Sequence, residues 1–201
     1  MMLRIGIVAS LIILLTACAP HRQTQPDVRT ELALRQVHRQ QVSRIEQWAF
    51  KGRILITQGK QAWQAGIRWW QRKDRYQIKL EGPFSQGGLT LNGQRQQVIL
   101  TDSTGKQYMA KSPEALLMKV AKMQLPVSAL RYWIRGLADK RQQIETVRYD
   151  SQGRIVYLEQ AGWAVRILRY MPFESVTMPA KIFIMHPKLD LRIVITDWSM
   201  L

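Results

Sequence analysis

Residues 63–91 read Trp63-Gln-Ala-Gly-Ile-Arg-Trp-Trp70, a polar stretch, Tyr76-Gln-Ile-Lys-Leu80, Glu81-Gly-Pro-Phe-Ser-Gln-Gly-Gly88 and Leu89-Thr-Leu91. Apolar and polar residues alternate in the segments on both sides of the glycine-rich one, which is typical of β-strands with one buried face. Glycine and proline indicate a turn between them. Trp69 and Trp70 cannot both face inward along a regular strand, and the sequence leaves open which one does.

The turn between these strands carries one bulky apolar residue, Phe84, beside Gly82 and Pro83. Turns at a protein surface ordinarily hold polar residues. Phe84 therefore either folds back onto the strands or projects from the turn into an apolar environment. The sequence of the turn alone does not choose between these alternatives.

The N-terminus has the features of a bacterial lipoprotein signal. Arg4 precedes an apolar run over residues 5–15, which is too short to span a bilayer. Small residues then precede Cys18, the only cysteine of the chain, and form a lipobox. We therefore predict a removed signal peptide over residues 1–17. The alternative is an ordinary cleavage site followed by a chance cysteine, which has no second cysteine with which to pair.

The lipobox predicts that Cys18 becomes the acylated first residue of the mature protein. Residues 18–27 then form a tether between the lipid and the domain. Ala19 resembles an outer-membrane address, because an aspartate at this position favours inner-membrane retention in enterobacterial lipoproteins.

The chain is strongly basic, with a net charge of +16, and contains seven tryptophans. In a cytosolic protein this combination suggests nucleic acid, with tryptophan stacking on bases. Export removes nucleic acid as a partner and leaves phospholipid headgroups and lipopolysaccharide. A basic side chain near such a surface contributes about 1 kcal/mol. The alternative for most of these charges is a surface that is merely solvated.

Residues 28–201 predict one domain of mainly β structure. A polar helical pattern with a thin apolar stripe covers residues 28–47 and indicates a surface helix. Gly59-Lys60 and Asn92-Gly93 predict hairpin turns. Near the C-terminus, Pro179 and Pro187 are expected to flank a strand over residues 181–185.

Two helices are expected in the middle of the chain. Ser112-Pro113-Glu114 predicts a helix start. The serine oxygen can accept a hydrogen bond from an unpaired backbone N–H of the first turn, proline suits that turn, and glutamate complements the helix dipole. Pro126 opens a second short helix. Its apolar residues recur at helical spacing: Leu130, Trp133, Ile134 and Leu137. The predicted fold is a single antiparallel sheet, strongly curved or nearly closed, interrupted once by these helices.

No catalytic or metal site is expected from the sequence. His21, His38 and His186 stand apart from other metal-ligand residues. No glycine-rich phosphate loop leads from a strand into a helix. A Ser-His-Asp arrangement assembled in space remains open, because such triads are recognised by geometry.

Several short motifs follow one another along the mature chain. They are Trp48 to Gly52-Arg53, Trp70 before Asp74-Arg75-Tyr76, Gly82-Pro83-Phe84 before Leu89-Thr-Leu91, residues 125–137 (LPVSALRYWIRGL), Gly162-Trp163, Met178-Pro179, and Ile193-Val-Ile195 with Trp198. Their order, together with the lipobox, resembles the LolB family of outer-membrane lipoproteins. The resemblance covers essentially the whole mature domain.

The resemblance implies a half-open antiparallel β-barrel covered by helices, which encloses a hydrophobic cavity for acyl chains. It implies a monomer without enzymatic activity or cofactor, lipid-anchored on the periplasmic face of the outer membrane. Such a protein accepts lipoproteins from a LolA-type periplasmic carrier and inserts them into the inner leaflet without an energy source. Its partners are that carrier, the acyl chains of client lipoproteins and outer-membrane phospholipid.

The resemblance also implies roles for individual residues. The membrane-touching loop corresponds by position to Phe84, with Gly82 and Pro83, where the family more often has leucine. The candidates for the cavity wall are Trp70, Leu80, Leu89, Leu91, Leu130, Trp133, Ile134 and Trp163. Ordinary core packing is the alternative for each of them. Two other functions stay open. One is an outer-membrane assembly module that binds lipopolysaccharide or the precursors of barrel proteins, and the other is a cell-wall hydrolase whose tryptophans bind sugars.

Overall fold

An antiparallel sheet of eleven strands is the frame of the computed structural model, which describes residues 27–82 and 88–201. The strands are β1 (Gln47–Gln58), β2 (Gln61–Arg72), β3 (Arg75–Glu81), β4 (Gly88–Gln94), β5 (Gln97–Thr101), β6 (Gln107–Ala110), β7 (Ile144–Tyr149), β8 (Ile155–Gln160), β9 (Trp163–Phe173), β10 (Val176–His186) and β11 (Leu189–Met200). The helices are α1 (Val28–Ser43), α2 (Pro113–Ala121) and α3 (Val127–Trp133). None of the described helices is long and apolar enough to cross a bilayer.

The strand order is β6-β5-β4-β3-β2-β1-β11-β10-β9-β8-β7. The first and last strands of the chain pair in the middle of this order, and β6 and β7 are its two edges. The connection between the edges contains α2 and α3. The sheet does not close, which confirms the predicted half-open barrel with short helices.

The two central helices begin where the sequence predicts. The hydroxyl of Ser112 accepts a hydrogen bond from the Ala115 amide at 3.2 Å, and Pro113 opens the first turn of α2. The Glu114 carboxylate accepts a bond from the Ser128 amide at 2.8 Å. It therefore joins the start of α2 to the first turn of α3, a contact that the sequence did not indicate.

Helix α1 is shorter than its polar pattern predicts. It ends at Ser43, because the chain must already be in a strand conformation at Trp48, which pairs with Gln71 of β2 and with Met200 of β11. His38 and Val42 are the buried residues of α1, so the helix lies on the domain with one narrow face inward.

The hairpin turn predicted at Asn92-Gly93 is wrong. Both residues lie inside β4, and the turn follows at residues 95–96. Gly93 instead leaves room for the ring of Tyr76 on β3, which a Cβ at this position would overlap. An Asn-Gly pair therefore marks a close approach of a side chain at this position.

Pro179 does not flank its strand as predicted but lies within β10. The register of β10 against β9 shifts between Pro179 and Lys181. Proline, which lacks an N–H, is tolerated inside a sheet at such an irregularity. The Pro179 carbonyl accepts a hydrogen bond from the indole of Trp198 at 2.9 Å, which ties β10 to the end of β11.

Five aromatic side chains pack together on the inner face where β1 meets its neighbours. Phe50 and Trp198 have ring centroids 5.2 Å apart, and Trp48 lies 5.6 Å from Trp198 and 5.7 Å from Trp69. Phe173 completes the group at 6.1 Å from Trp198. Aromatic pairs at these distances stabilise a core beyond the area that they bury. We call this group the aromatic cluster.

A glycine-to-alanine change at Gly52 is expected to destabilise the fold. A Cβ at Gly52 would overlap the Val194 carbonyl oxygen at the β1–β11 bulge. Because backbone must move, we expect a loss of about 2 kcal/mol in urea unfolding. Gly66→Ala on the adjacent strand is the control, since its Cβ would meet nothing closer than 3.7 Å. Equal stability of the two variants would show that the bulge adapts freely.

Candidate functional site: the concave face and its rim

The concave face of the sheet is lined by apolar side chains from both halves of the strand order. They include Ile54, Ile56, Ile67, Trp69, Ile78, Leu91, Val165, Ile167, Ile182, Ile184, Leu191, Ile193 and Ile195. Directly paired residues share a face, as Ile54 does with Ile193 and as Ile78 does with Trp69 and Leu91. The lining is therefore continuous across the β1–β11 junction.

The helical connection covers this face. The cover consists of α2, α3 and the segment that follows, with buried apolar residues Leu116, Leu117, Leu125, Val127, Leu130, Trp133, Ile134 and Leu137. The Trp133 ring lies 6.3 Å from that of Trp163 on β9. The concave face is thus packed against the cover rather than left bare.

One end of the concave face keeps apolar side chains partly in solvent. Leu80 and Leu89 pair directly where β3 and β4 approach their connection, and both are half-buried. Trp63 lies on the same face of β2, opposite Ile56, and is 39% exposed. We call Trp63, Leu80 and Leu89 the apolar rim. Partly exposed apolar residues beside a buried apolar face are suited to receive a further apolar group.

The structure brings most of the proposed cavity residues onto the concave side. Leu91 lies on the sheet and Leu80 and Leu89 on the rim, whereas Leu130, Trp133 and Ile134 belong to the cover, and the Trp133 ring lies beside that of Trp163. Trp70 lies on the other face of β2 and is half-buried, whereas Trp69 is only 3% exposed. Of the two neighbouring tryptophans, Trp69 is therefore the inward one.

The remaining predicted site residues have different positions. Cys18, Pro83 and Phe84 lie outside the described residues. Gly82 directly follows β3, and Gly88 begins β4. The connection that contains Phe84 thus joins two strands at the rim end of the concave face.

A buried glutamine, Gln160, holds the segment after α3. Its side-chain oxygen accepts bonds from the Trp133 indole and from the Asp139 amide, both at 2.9 Å. Its side-chain nitrogen donates to the Asp139 carbonyl at 2.9 Å and to the Gln142 carbonyl at 3.0 Å. All four hydrogen-bonding positions of the amide are used, so the cover is fixed to β8 at a defined point.

An ion pair completes this attachment. The Arg141 guanidinium donates to both carboxylate oxygens of Asp139, at 2.9 and 2.6 Å. Burial alone raises the pKa of Asp139, but the hydrogen bonds and charge of Arg141 outweigh it and lower that pKa overall. The carboxylate is therefore ionised at neutral pH and able to hold the turn over residues 139–141.

A buried arginine also holds the segment that follows α3. The Arg135 guanidinium donates to the Ile45 carbonyl at 2.9 Å and to the Arg131 carbonyl at 3.1 Å, and it lies 5.8 Å from the Trp48 ring. Burial lowers the pKa of Arg135 to about 10, so the group remains charged at neutral pH. It links the cover to the start of β1.

Sequence reasoning missed the rim residue Trp63 and the attachment through Gln160. Trp63 follows from the alternation of β2 once Trp69 is known to face inward. No local signal marks Gln160, because its partners lie 18 to 27 positions away along the chain.

An open pocket of about 330 Å³ lies at the β8–β9 turn, with Trp163, Met185 and His186 in its wall. The His186 and Trp163 rings are stacked there with centroids 4.7 Å apart. Its volume is at the lower end for small-ligand sites. Within the described residues, no group of three potential ligand side chains for a metal ion is present.

The structure is an open antiparallel barrel with an apolar concave face and a helical cover. Solved structures with the same fold include a LolA superfamily protein from Nitrosomonas europaea, with a TM-score of 0.54, 8% identity and coverage of 83% of this chain and 93% of that one. A DUF1329 family protein from Desulfovibrio piger aligns with a TM-score of 0.55, 6% identity and coverage of 86% and 92%. These likenesses show the fold.

The family follows from sequence comparison. The family model described as outer membrane lipoprotein LolB matches residues 46–198. The outer-membrane lipoprotein LolB of Nitrosococcus oceani is 37% identical, over 98% of each chain. That of Pseudomonas syringae pv. syringae is 35% identical, over 99% of this chain and 97% of its own. The chain belongs to the LolB family, which consists of lipoprotein-trafficking proteins rather than enzymes.

Replacing Gln160 with leucine is expected to release the cover from β8. The change keeps the side-chain volume but leaves the Trp133 indole and three main-chain groups without partners. Because each buried unpaired group costs about 1–3 kcal/mol, we expect a loss of at least about 3 kcal/mol in urea unfolding. Amide exchange in residues 134–143 should accelerate beyond the global change.

The control for this prediction is Gln64→Leu, which makes the same change at an exposed position of β2. It should alter stability by no more than about 0.5 kcal/mol. If Gln160→Leu exchanges in residues 134–143 like the wild type, another contact holds the cover.

Proposed function

We propose that this protein receives lipoproteins from a LolA-type periplasmic carrier and inserts them into the inner leaflet of the outer membrane. The observation that carries the proposal is the continuous apolar concave face that ends in the half-exposed rim of Trp63, Leu80 and Leu89. Membership of the LolB family and the LolA-superfamily fold support it.

The proposal includes removal of residues 1–17 and acylation of Cys18. The lipid then anchors the domain at the outer membrane through the tether of residues 18–27. In this arrangement the anchor sets the location of the protein, and the folded domain handles the cargo.

The cargo requires an apolar host throughout its passage. At about 0.8 kcal/mol for each buried CH₂ group, exposing three acyl chains to water costs on the order of 30 kcal/mol. In the proposed mechanism the acyl chains enter at the rim. They then take the place of side chains from α2 and α3 against the concave face.

The direction of transfer follows from affinity alone. The sequence contains no phosphate-binding motif that would supply energy from a nucleotide. Transfer then runs downhill, from a carrier that holds the chains less tightly to this protein, and from this protein to the bilayer.

A transfer assay tests the function as a whole. The mature protein, with Cys18→Ala so that it is soluble, is mixed with a LolA-type carrier loaded with a labelled lipoprotein, and liposomes are added later. The label should move to this protein and then to the liposomes. If it stays on a carrier that is competent with another acceptor, the proposed function is wrong.

The rim predicts a defect in acceptance. Leu89→Glu places a charge among Leu80 and the entering acyl chains, and we expect transfer from the carrier to slow at least about 10-fold. Thr90→Glu is the matched control. It adds the same charge one residue away on the opposite face, where its direct partner is Lys79, and should transfer at the wild-type rate. Equal rates for both variants would remove the rim from the path of the cargo.

The turn residue Phe84 predicts a defect in release. Burying one phenylalanine contributes roughly 1.5–3 kcal/mol, enough to orient the domain against a bilayer but not to anchor it. We expect Phe84→Glu to fold and to accept cargo, yet to fail in delivering it to liposomes. Phe84→Leu should retain delivery, and Cys18→Ala should reduce it less than Phe84→Glu. Normal delivery by Phe84→Glu contradicts a membrane role for this residue.

A further inference from the structure

The convex face of the sheet carries a row of alternating arginine and aromatic residues. Arg192 on β11 pairs directly with Phe183 on β10, and Phe183 with Arg166 on β9. Arg166 pairs with Tyr157 on β8, and Tyr157 with Arg148 on β7. The five residues form one line across five neighbouring strands. We call this line the arginine–aromatic row.

The row faces solvent rather than the core. Its strand neighbours Leu191 and Ile193 are buried on the concave face, so Arg192 between them points to the other side. All three arginines are exposed, and the two aromatic residues are half-buried. Because adjacent strands lie about 4.8 Å apart, the three guanidinium groups stand at intervals of roughly 10 Å.

The aromatic rings support the arginines. The Arg192 guanidinium lies 5.2 Å from the centroid of Phe183, and that of Arg148 lies 4.5 Å from the centroid of Tyr157. Such contacts orient a guanidinium group while its N–H donors remain open to a ligand.

Two carboxylates lie close to the row without forming ion pairs with its arginines: Asp190 is two residues from Arg192 on the same face of β11, and Glu159 is two residues from Tyr157 on β8. A second line of paired residues, Arg53, Val194, Lys181 and Arg169, lies next to it. Within residues 27–82 and 88–201, none of the basic residues of the two lines forms an ion pair. By contrast, Arg68 and Lys79 elsewhere on the convex face both pair with Glu81. The Glu159 carboxylate beside the row accepts a hydrogen bond from the Tyr157 hydroxyl.

We propose that the arginine–aromatic row docks on an anionic phospholipid surface and binds its phosphate groups. The proposal rests on the membrane-delivery function above and adds a second contact with the bilayer to the one expected from Phe84. It also assigns a use to part of the high positive charge of the chain.

The geometry of the row favours a membrane over an acidic protein. Arg192 and Phe183 each lie four residues from the β10–β11 turn at residues 187–188, and Arg166 and Tyr157 each lie four residues from the β8–β9 turn at residues 161–162. The row therefore runs at a constant height of roughly 13 Å below one end of the sheet. That end also holds the rim and the β3–β4 connection. A flat charged surface at that end lies at the same distance from every position of such a line, so the three arginine side chains can approach it together, whereas a protein partner does not require a constant height.

Vesicle binding without carrier or client tests the proposal. The unacylated mature chain, Cys18→Ala, is sedimented with vesicles of phosphatidylglycerol in phosphatidylcholine and with vesicles of phosphatidylcholine alone. We expect binding to the anionic vesicles that weakens with added salt. Replacing Arg148, Arg166 and Arg192 together with glutamine should weaken it roughly 100-fold, because each basic residue contributes about 1 kcal/mol near an anionic surface.

The matched control removes the same charge from α1. Arg29, Arg39 and Arg44 are exposed on or just after that helix, and their replacement with glutamine should weaken binding no more than about 3-fold through general charge. An equal loss in both triple variants overturns the proposal. The proposal is also overturned if the row variant binds the vesicles as tightly as the wild type, or if binding occurs only after lipopolysaccharide is added to the vesicles. A row variant that keeps vesicle binding and loses only the transfer of cargo from the carrier overturns it as well.

The outcome separates this proposal from the function on which it rests. Transfer of labelled lipoprotein from the carrier to this protein is measured in the same preparations without vesicles. The row variant should accept cargo at the wild-type rate. If the wild-type chain does not accept labelled lipoprotein from the carrier, the proposed function is wrong. If the row variant binds vesicles as the wild type does, only the proposed role of the row is wrong.

Discussion

The pairing of β1 with β11 is the interaction on which the rest of the structure depends. It joins two antiparallel halves, β1–β6 and β7–β11, into one continuous sheet. The aromatic cluster lies at this junction, so side chains from β1, β2, β9 and β11 stabilise a pairing between the two ends of the domain. Because the junction makes the sheet continuous, it also makes the apolar concave face continuous. Because β1 and β11 are far apart in the chain, bringing them together closes a long loop. This has an entropic cost that local hairpins avoid.

The position of the cover follows from the same topology. With β1 and β11 in the middle, β6 and β7 become the edges, and the chain must cross between them. The shortest path passes over the concave side, where α2 and α3 bury their apolar residues. Polar contacts then fix the cover at separate points: Glu114 to Ser128 between the helices, Gln160 on β8, and Arg135 beside β1. Because these polar attachments are few, breaking them is expected to free the cover as a unit.

Sequence reasoning succeeded where the signal is local. The alternation of strands, the Ser112-Pro113 helix start and the turn at Gly59-Lys60 each depend on a few adjacent residues, and the structure has them. It failed where a distant partner decides. Asn92-Gly93 is a strand segment because Tyr76 needs the space, and Pro179 is tolerated inside β10 because of a bulge. The choice between Trp69 and Trp70 required the register with β1 and β3. The Gln160 attachment is made by residues far apart in the chain, and no spacing rule predicts it.

The packed interior bears directly on how a lipoprotein acceptor releases its cargo. A preformed empty cavity gives an entering acyl chain the full free energy of apolar burial. Here Leu130, Trp133 and Ile134 already cover the concave face, so in the proposed mechanism the cargo displaces them and gains only the difference. The cost of lifting the cover lowers the affinity for acyl chains, and closing it again favours their departure. A bilayer makes no such demand and therefore holds the chains more tightly. In the proposed mechanism, the cost of lifting the cover is therefore what favours the passage of cargo from this protein to the bilayer without a supply of chemical energy.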